Sequence, residues 1–564
     1  MLRAILIFLC SLLLGCEAAI TAPKPSPSNP TDPSQPIDPI TGEPLPQPVE
    51  PNPCEGAVLQ VPAPVMRRLS PEQLANTWRD VLKDTAAAPL LDAPAALDIT
   101  ELEVERLAAA ANELVKRNKH HALVPCNISG AGTAACAEGF IKAFGRAAFR
   151  HDLTPEEVAW LTGRYNTTKN LSVTPAVTFK EAIDTVAEVM LQSPQLYYVA
   201  ERGRGTGVTP LTGYERATRL SYQLWNTTPD TALLDAARDG VLDSADGVKV
   251  QAERLLADPR GRTSIRRIAS TYLGLDKSPT HPSLEMLTKD AAKYPLDSPA
   301  LRLAMRGESE ALFERAFFDE QGSFKALMTS KKARVNATLA RLYGVAGPAN
   351  DTAFDWVDLG SDRAGLFTRA AFLTSTAAEK QASPTRRGVH IFRHALCRTL
   401  GSPPADVDNT PLQPKPGALS VREQIDQRTQ GAVCQSCHDF INPIGHTLGH
   451  YDAIGAYQVN ETGTQGGMPY SVPVDAKATL KAGDIKGEIS GGPALAEALA
   501  GSRNASDCMA DAFLERTLER EAGTAEACLQ HKARVALRQT DDMRQVLLTL
   551  VSSDEALHIN GGQQ

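Results

Sequence analysis

The sequence predicts a mainly α, multi-module helical protein, on three observations. Helix-starting devices recur along the chain, apolar residues fall at helical spacing between them, and the Val/Ile/Thr alternation typical of strands is scarce, with aromatic residues at only 5%. Ser70-Pro71-Glu72 places an N-cap before a proline at the first helical position and an early acid. Thr154-Pro155-Glu156-Glu157 repeats the device ahead of Val158-Ala159-Trp160-Leu161. Stretches 101–119, 179–191, 213–225, 232–238 and 248–256 carry the apolar spacing of amphipathic helices.

The 564 residues contain 42% hydrophobic and 22% charged positions, an ordinary globular balance that excludes collagenous, coiled-coil and wholly disordered chains. The formal charge is -8, and an acidic chain with no basic tail excludes nucleic acid as the main partner. The single long apolar run is at the extreme N-terminus, so no integral membrane domain is expected. Breaks rich in Gly, Pro and Asp divide the chain into an N-terminal leader (1–15), a linker (16–55) and helical modules over 56–130, 131–205 and 206–360. A module carrying the chemistry follows over 361–460, and a C-terminal helical module over 461–564. Within 461–489, the segments 470–474 and 478–480 alternate weakly and suggest a short hairpin.

The leader begins with Met1-Leu2-Arg3, continues with an apolar run over 4–14 and ends on Leu13-Leu14-Gly15-Cys16, which reads as a signal peptide. Leu-Leu-Gly-Cys also resembles the lipobox of bacterial lipoproteins. That resemblance implies acylation of Cys16, removal of residues 1–15, and a membrane partner through the lipid anchor. It further implies a place in the envelope of a Gram-negative-type bacterium, periplasmic or at the outer membrane. Twelve prolines between Thr21 and Pro53 fit a semi-rigid polyproline II spacer behind such an anchor.

Ten cysteines are present. Cys10 leaves with the leader, Cys16 takes the lipid, and Cys434 and Cys437 share a motif, leaving six in an exported chain where disulfides persist. Short separations favour Cys126–Cys136 and Cys508–Cys528, with Cys54–Cys397 by elimination.

Cys434-Gln435-Ser436-Cys437-His438 is the most specific signal in the chain. C-x-x-C-H is the pattern of covalent c-type haem attachment, in which two thiols reach two vinyl groups and the next residue places an imidazole under the iron. The same residues admit two other readings, a redox disulfide and a zinc site. The first wants a thioredoxin-like βαβ context, and the second wants further ligands. H-E-x-x-H, G-x-S-x-G and Walker-type patterns are absent from the sequence.

The segment after the motif, Asn442-Pro443-Ile444-Gly445, resembles cytochrome c. The resemblance implies that the Pro443 carbonyl accepts the ring N–H of the proximal ligand His438. Gly467-Met468-Pro469 looks like the segment that supplies the distal thioether in many cytochromes c, so Met468 is the first candidate for the second axial position. His446, His450 and Met509 are alternatives, as is an open position. The expected cofactor is one covalent haem c, held by Cys434, Cys437 and His438, so that the fold ends in a cytochrome c-like haem region.

Several further segments resemble a modular family of exported bacterial proteins built from domains of unknown function numbered 1587, 1595, 1592, 1588 and 1585. Arg67-Arg68-Leu69-Ser70-Pro71-Glu72 is similar to the first, and Phe144-Gly145-Arg146-Ala147-Ala148-Phe149-Arg150 to the second. Thr218-Arg219-Leu220-Ser221-Tyr222-Gln223-Leu224-Trp225 is similar to the third, and the run from Val474-Asp475-Ala476 to Ser552-Ser553-Asp554 to the fifth. Ser383-Pro384-Thr385-Arg386-Arg387-Gly388, the haem motif and Tyr451-Asp452-Ala453-Ile454-Gly455 are similar to the fourth. No reaction comes with this likeness. The expected function is a membrane-tethered monohaem electron-transfer protein with a redox partner in the envelope. The alternatives are a haem-dependent oxidative enzyme and a non-redox envelope or surface-binding lipoprotein.

Overall fold

The computed structural model describes residues 52–561 apart from 57, 62–65, 87, 90–98, 279–280, 402–419 and 466–467. The leader, Cys16 and the body of the proline-rich linker lie outside the described residues. The fold is mainly α, with short antiparallel strand pairs between helices. No helix among the described residues is long and apolar enough to cross a membrane.

The helix starts follow the local chemistry read from the sequence. Ser70, Thr100, Thr154, Thr178 and Thr212 each accept the third helical N–H, and the Gln or Glu at that third position reaches back to the cap N–H. These boxes open the helices Pro71–Leu82, Glu101–Lys116, Pro155–Lys169, Phe179–Leu191 and Gly213–Trp225. The stretch expected as helix over 101–119 stops at Lys116, and a 3-10 turn, Lys119–Leu123, follows.

Two apolar cores form. The first gathers Trp78, Phe140, Phe144, Phe179, Ile183 and Met190 from the N-terminal helices. It is closed by strand Met66–Arg68 pairing antiparallel with Tyr198–Ala200. The second runs from the Gly213–Trp225 helix to the C-terminus, with the Pro299–Phe318 helix through it, where Phe313 and Phe317 pack on Phe513. Tyr222 joins the two cores, its hydroxyl 2.8 Å from Thr77 Oγ1. Strand His558–Gly561 returns to pair with Gly207–Pro210, so the chain end closes beside the start of the third module.

Three disulfides brace this body. Cys126 pairs with Cys136, Cys54 with Cys528 and Cys397 with Cys508. The expected Cys508–Cys528 and Cys54–Cys397 bridges are corrected: both cysteines of the expected C-terminal pair are bridged, but to distant partners. Packing brings the Arg503–Leu518 helix against the turn carrying Cys397 and brings residue 54 to the start of the Ala527–Thr540 helix. Sequence separations of 111 and 474 give no local cue to either pairing. Disulfides of this number belong to an oxidising, extracytoplasmic compartment.

The C-terminal module is not helical from its start. Asn460–Gln465 pairs with Met468–Pro473, and Lys477–Ala482 pairs with Ile485–Ser490. The two segments expected to form one hairpin therefore sit in two separate strand pairs.

Candidate functional site

The C-x-x-C-H motif lies in the first two turns of the Ala432–His446 helix. Helical spacing puts Cys434 and Cys437 on one face, with His438 one turn beyond Cys434. The thiols are half-buried and unbridged, and they are the only free cysteines among the described residues.

The imidazole of His438 is held by its neighbours. His438 Nδ1 stands 2.9 Å from Asn442 Oδ1, one turn along the same helix. Asn442 is 4% exposed, its Nδ2 donates to Thr429 Oγ1 at 3.0 Å, and its Oδ1 also accepts from the Thr385 hydroxyl at 3.1 Å. With the amide oxygen so fixed, Nδ1 carries the proton and Nε2 presents a lone pair, the tautomer that ligates a metal. Pro443, expected to accept this ring N–H, is inside the helix, and its carbonyl accepts from the Thr447 N–H at 3.3 Å, while His438 Nδ1 meets the side chain of the preceding residue, Asn442.

The short Pro384–His390 helix seats the motif helix. Gly388 crosses so closely that a Cβ there would stand 1.9 Å from the Ile441 carbonyl oxygen, and a Cβ on Gly445 would stand 1.9 Å from that of Pro384. Arg387 is fully buried and donates to the carbonyls of Leu448, Tyr451 and Asp452 at 2.7–3.0 Å. Burial pushes its guanidinium down to about 10, still charged at neutral pH, and that charge gathers the carbonyls of the turns that follow the motif helix. The segments 383–388 and 442–445, read separately in the sequence, are two sides of one joint.

The other axial candidates are dispersed. His446 shares the motif helix eight residues beyond His438, about 12 Å along the axis, and its Nε2 is 3.0 Å from Asp426 Oδ1. His450 stacks on Tyr457, with Nδ1 2.9 Å from the Gln458 carbonyl. Met509 is fully buried in the second core. Met468 begins the strand opposite Gln465, and its side chain lies outside the described residues.

This donor set fits a covalently held iron porphyrin. Two free thiols and an imidazole with its Nε2 unencumbered share one end of the helix. Val433 and Phe440 beside them are 67% and 38% exposed, an apolar surface that a macrocycle would cover.

Three family models match the chain. They are Protein of unknown function (DUF1595) over residues 136–201, DUF1592 over 211–345 and DUF1588, a model labelled PSCyt3, over 363–461. The motif helix and its seating helix both lie inside the third match. No curated protein and no solved structure matches.

What the sequence alone does not single out is Asn442 as the orienting group, and Thr385, Arg387 and Gly388 as its support. The available signal was the pair of segments resembling the fourth module, whose mutual contact only the fold reveals.

Proposed function

We propose that the protein is a membrane-tethered, monohaem c-type cytochrome-like protein that carries electrons in the cell envelope. The observation that carries the reading is the Cys434/Cys437/His438 constellation, with His438 held through Nδ1 by Asn442 and both thiols unbridged. A haem bound there would be held by the Sγ atoms of Cys434 and Cys437 and by His438 Nε2, and it would supply reversible one-electron chemistry. We assign the second axial position to Met468, on the Gly-Met-Pro resemblance. Acylation at Cys16 would hold the body at the membrane, with the proline-rich linker as spacer.

The chain's own contribution is orientation. Asn442 fixes the tautomer and plane of His438, and Gly388 and Arg387 fix the helix that carries both. Support also comes from the disulfides, which share the compartment where haem is attached, and from the cytochrome-suggesting label of the matching DUF1588 family. Pyridine haemochrome spectroscopy after expression with the haem-attachment machinery tests the proposal. One covalent haem per chain is expected, lost in Cys434→Ala. A matured protein without covalent haem contradicts it.

A further inference from the structure

A second cluster of ligating groups lies in the first core, on different elements from the motif helix. The 3-10 turn Lys119–Leu123 presents two consecutive imidazoles, and the Phe179–Leu191 helix presents a carboxylate from more than sixty residues further along. His120 Nε2 is 2.7 Å and His121 Nε2 is 2.5 Å from the same oxygen, Asp184 Oδ1. The two rings stand 4.3 Å apart between centroids, and the three donor atoms lie within 4.8 Å of one another. Zinc bonds to imidazole nitrogen and carboxylate oxygen are about 2.0–2.2 Å long, so ligand atoms around a tetrahedral ion stand ~3.3–3.6 Å apart. Adjustments under about 1 Å would place these three atoms around one ion.

We infer that His120, His121 and Asp184 bind a divalent transition-metal ion of the zinc class, with a fourth position left for water or an exchangeable ligand. Two neutral imidazoles and one carboxylate are the donor set of three-ligand zinc sites. Asp184 gathers His120 and His121 on one oxygen and Lys180 on the other. Lys180 Nζ sits 2.8 Å from Asp184 Oδ2, occupying the far oxygen and leaving Oδ1 to the imidazoles, as an outer-shell partner does.

His120 is fully buried against Phe140 and its Nδ1 has no partner, so its whole polar function is exercised at Nε2. His121 and Asp184 side chains are 14% and 19% exposed, which gives an ion a way in. The ion would clamp the turn to the helix just ahead of the Cys126–Cys136 bridge, so residues 119–136 would be pinned at both ends.

The test uses the full chain after expression with the haem-attachment machinery, stripped with a chelator and treated with an alkylating agent, so that neither Cys434 nor Cys437 competes for zinc. Zinc chloride is titrated calorimetrically, and bound zinc is measured by elemental analysis after gel filtration. About one equivalent is expected for the wild type, and Asp184→Asn and His121→Gln are each expected to weaken binding at least ~10-fold. Far-UV circular dichroism checks that each variant is folded, and His121→Gln, at the more accessible of the two imidazoles, serves if Asp184→Asn is not. A wild-type protein that takes up no zinc overturns the inference, as does a folded variant that binds zinc like the wild type.

Discussion

Gly388 and Ile441 meet backbone to backbone, with room for no atom between the glycine Cα hydrogens and the Ile441 carbonyl oxygen. The joint is reciprocal, since Gly445 meets Pro384 in the same way, and it sets the height of the motif helix over its support. Gly388→Ala and Gly445→Ala should each force the helices apart, at a cost of about 1–3 kcal/mol typical of overpacking. Urea unfolding of each variant checks this. A change within about 0.5 kcal/mol, the range of ordinary surface substitutions, would mean that the joint is slack.

Asn442 connects His438 to Thr429 and Thr385. Asn442→Ala leaves the imidazole N–H and two threonine hydroxyls without this partner, with an expected loss of about 1–3 kcal/mol and reduced haem occupancy on the proposed function. Asn442→Asp keeps the acceptor and adds a charge, which makes the imidazole more basic and should lower the midpoint potential. Unfolding midpoints and redox titration of the two variants check these outcomes. Equal potentials in Asn442→Asp and wild type would remove Asn442 from the ligand's control.

The disulfides should contribute in the order of the loops they close. In the chain-entropy picture the bridge spanning 111 residues contributes about 5 kcal/mol and the one spanning 10 about 3 kcal/mol. Replacing Cys397 and Cys508 together by Ala should therefore lower stability more than replacing Cys126 and Cys136. Peptide mapping without reduction should recover Cys54–Cys528 and Cys397–Cys508 peptides, and a Cys508–Cys528 peptide would refute the arrangement.

How much of this was legible in the sequence depended on how local each cause is. The helix starts at Ser70 and Thr154 are set by residues three positions apart, so the capping pattern locates them without the fold, whereas the helices after Thr100 and Thr178 were read from apolar spacing. The C-x-x-C-H constellation is equally local. Pairings such as Cys54 with Cys528 depend on where whole helices pack, and proximity in sequence points the wrong way. Asn442 was hidden for a subtler reason: its side chain meets His438 from one helical turn away, and the sequence pattern draws attention to the proline beside it instead. His120, His121 and Asp184 carry no motif spacing at all, because two elements far apart in the chain supply them.

His390 gives a pH prediction. Burial, then the neighbouring His394 charge, then His281, push its imidazole down to about 3, while its Nε2 meets the Tyr272 carbonyl at 3.1 Å. The folded state therefore resists protonation, while the unfolded chain takes up a proton near its ordinary value of 6.5. Stability is fully present above that pH and falls as pH drops from 6.5 towards 3, by about 3–5 kcal/mol over the whole window. His390→Gln should flatten this part of the stability profile measured by urea unfolding. An unchanged acid limb in the variant would assign the loss to other groups.

The most direct measurement is the intact mass of the mature protein, purified after expression with the haem-attachment machinery and followed by peptide mapping. The account predicts a chain heavier than its polypeptide by one haem, with both Cys434 and Cys437 blocked to alkylation and no haem on Cys434→Ala/Cys437→Ala. A mass equal to the bare polypeptide, with both thiols open to alkylation, would contradict it.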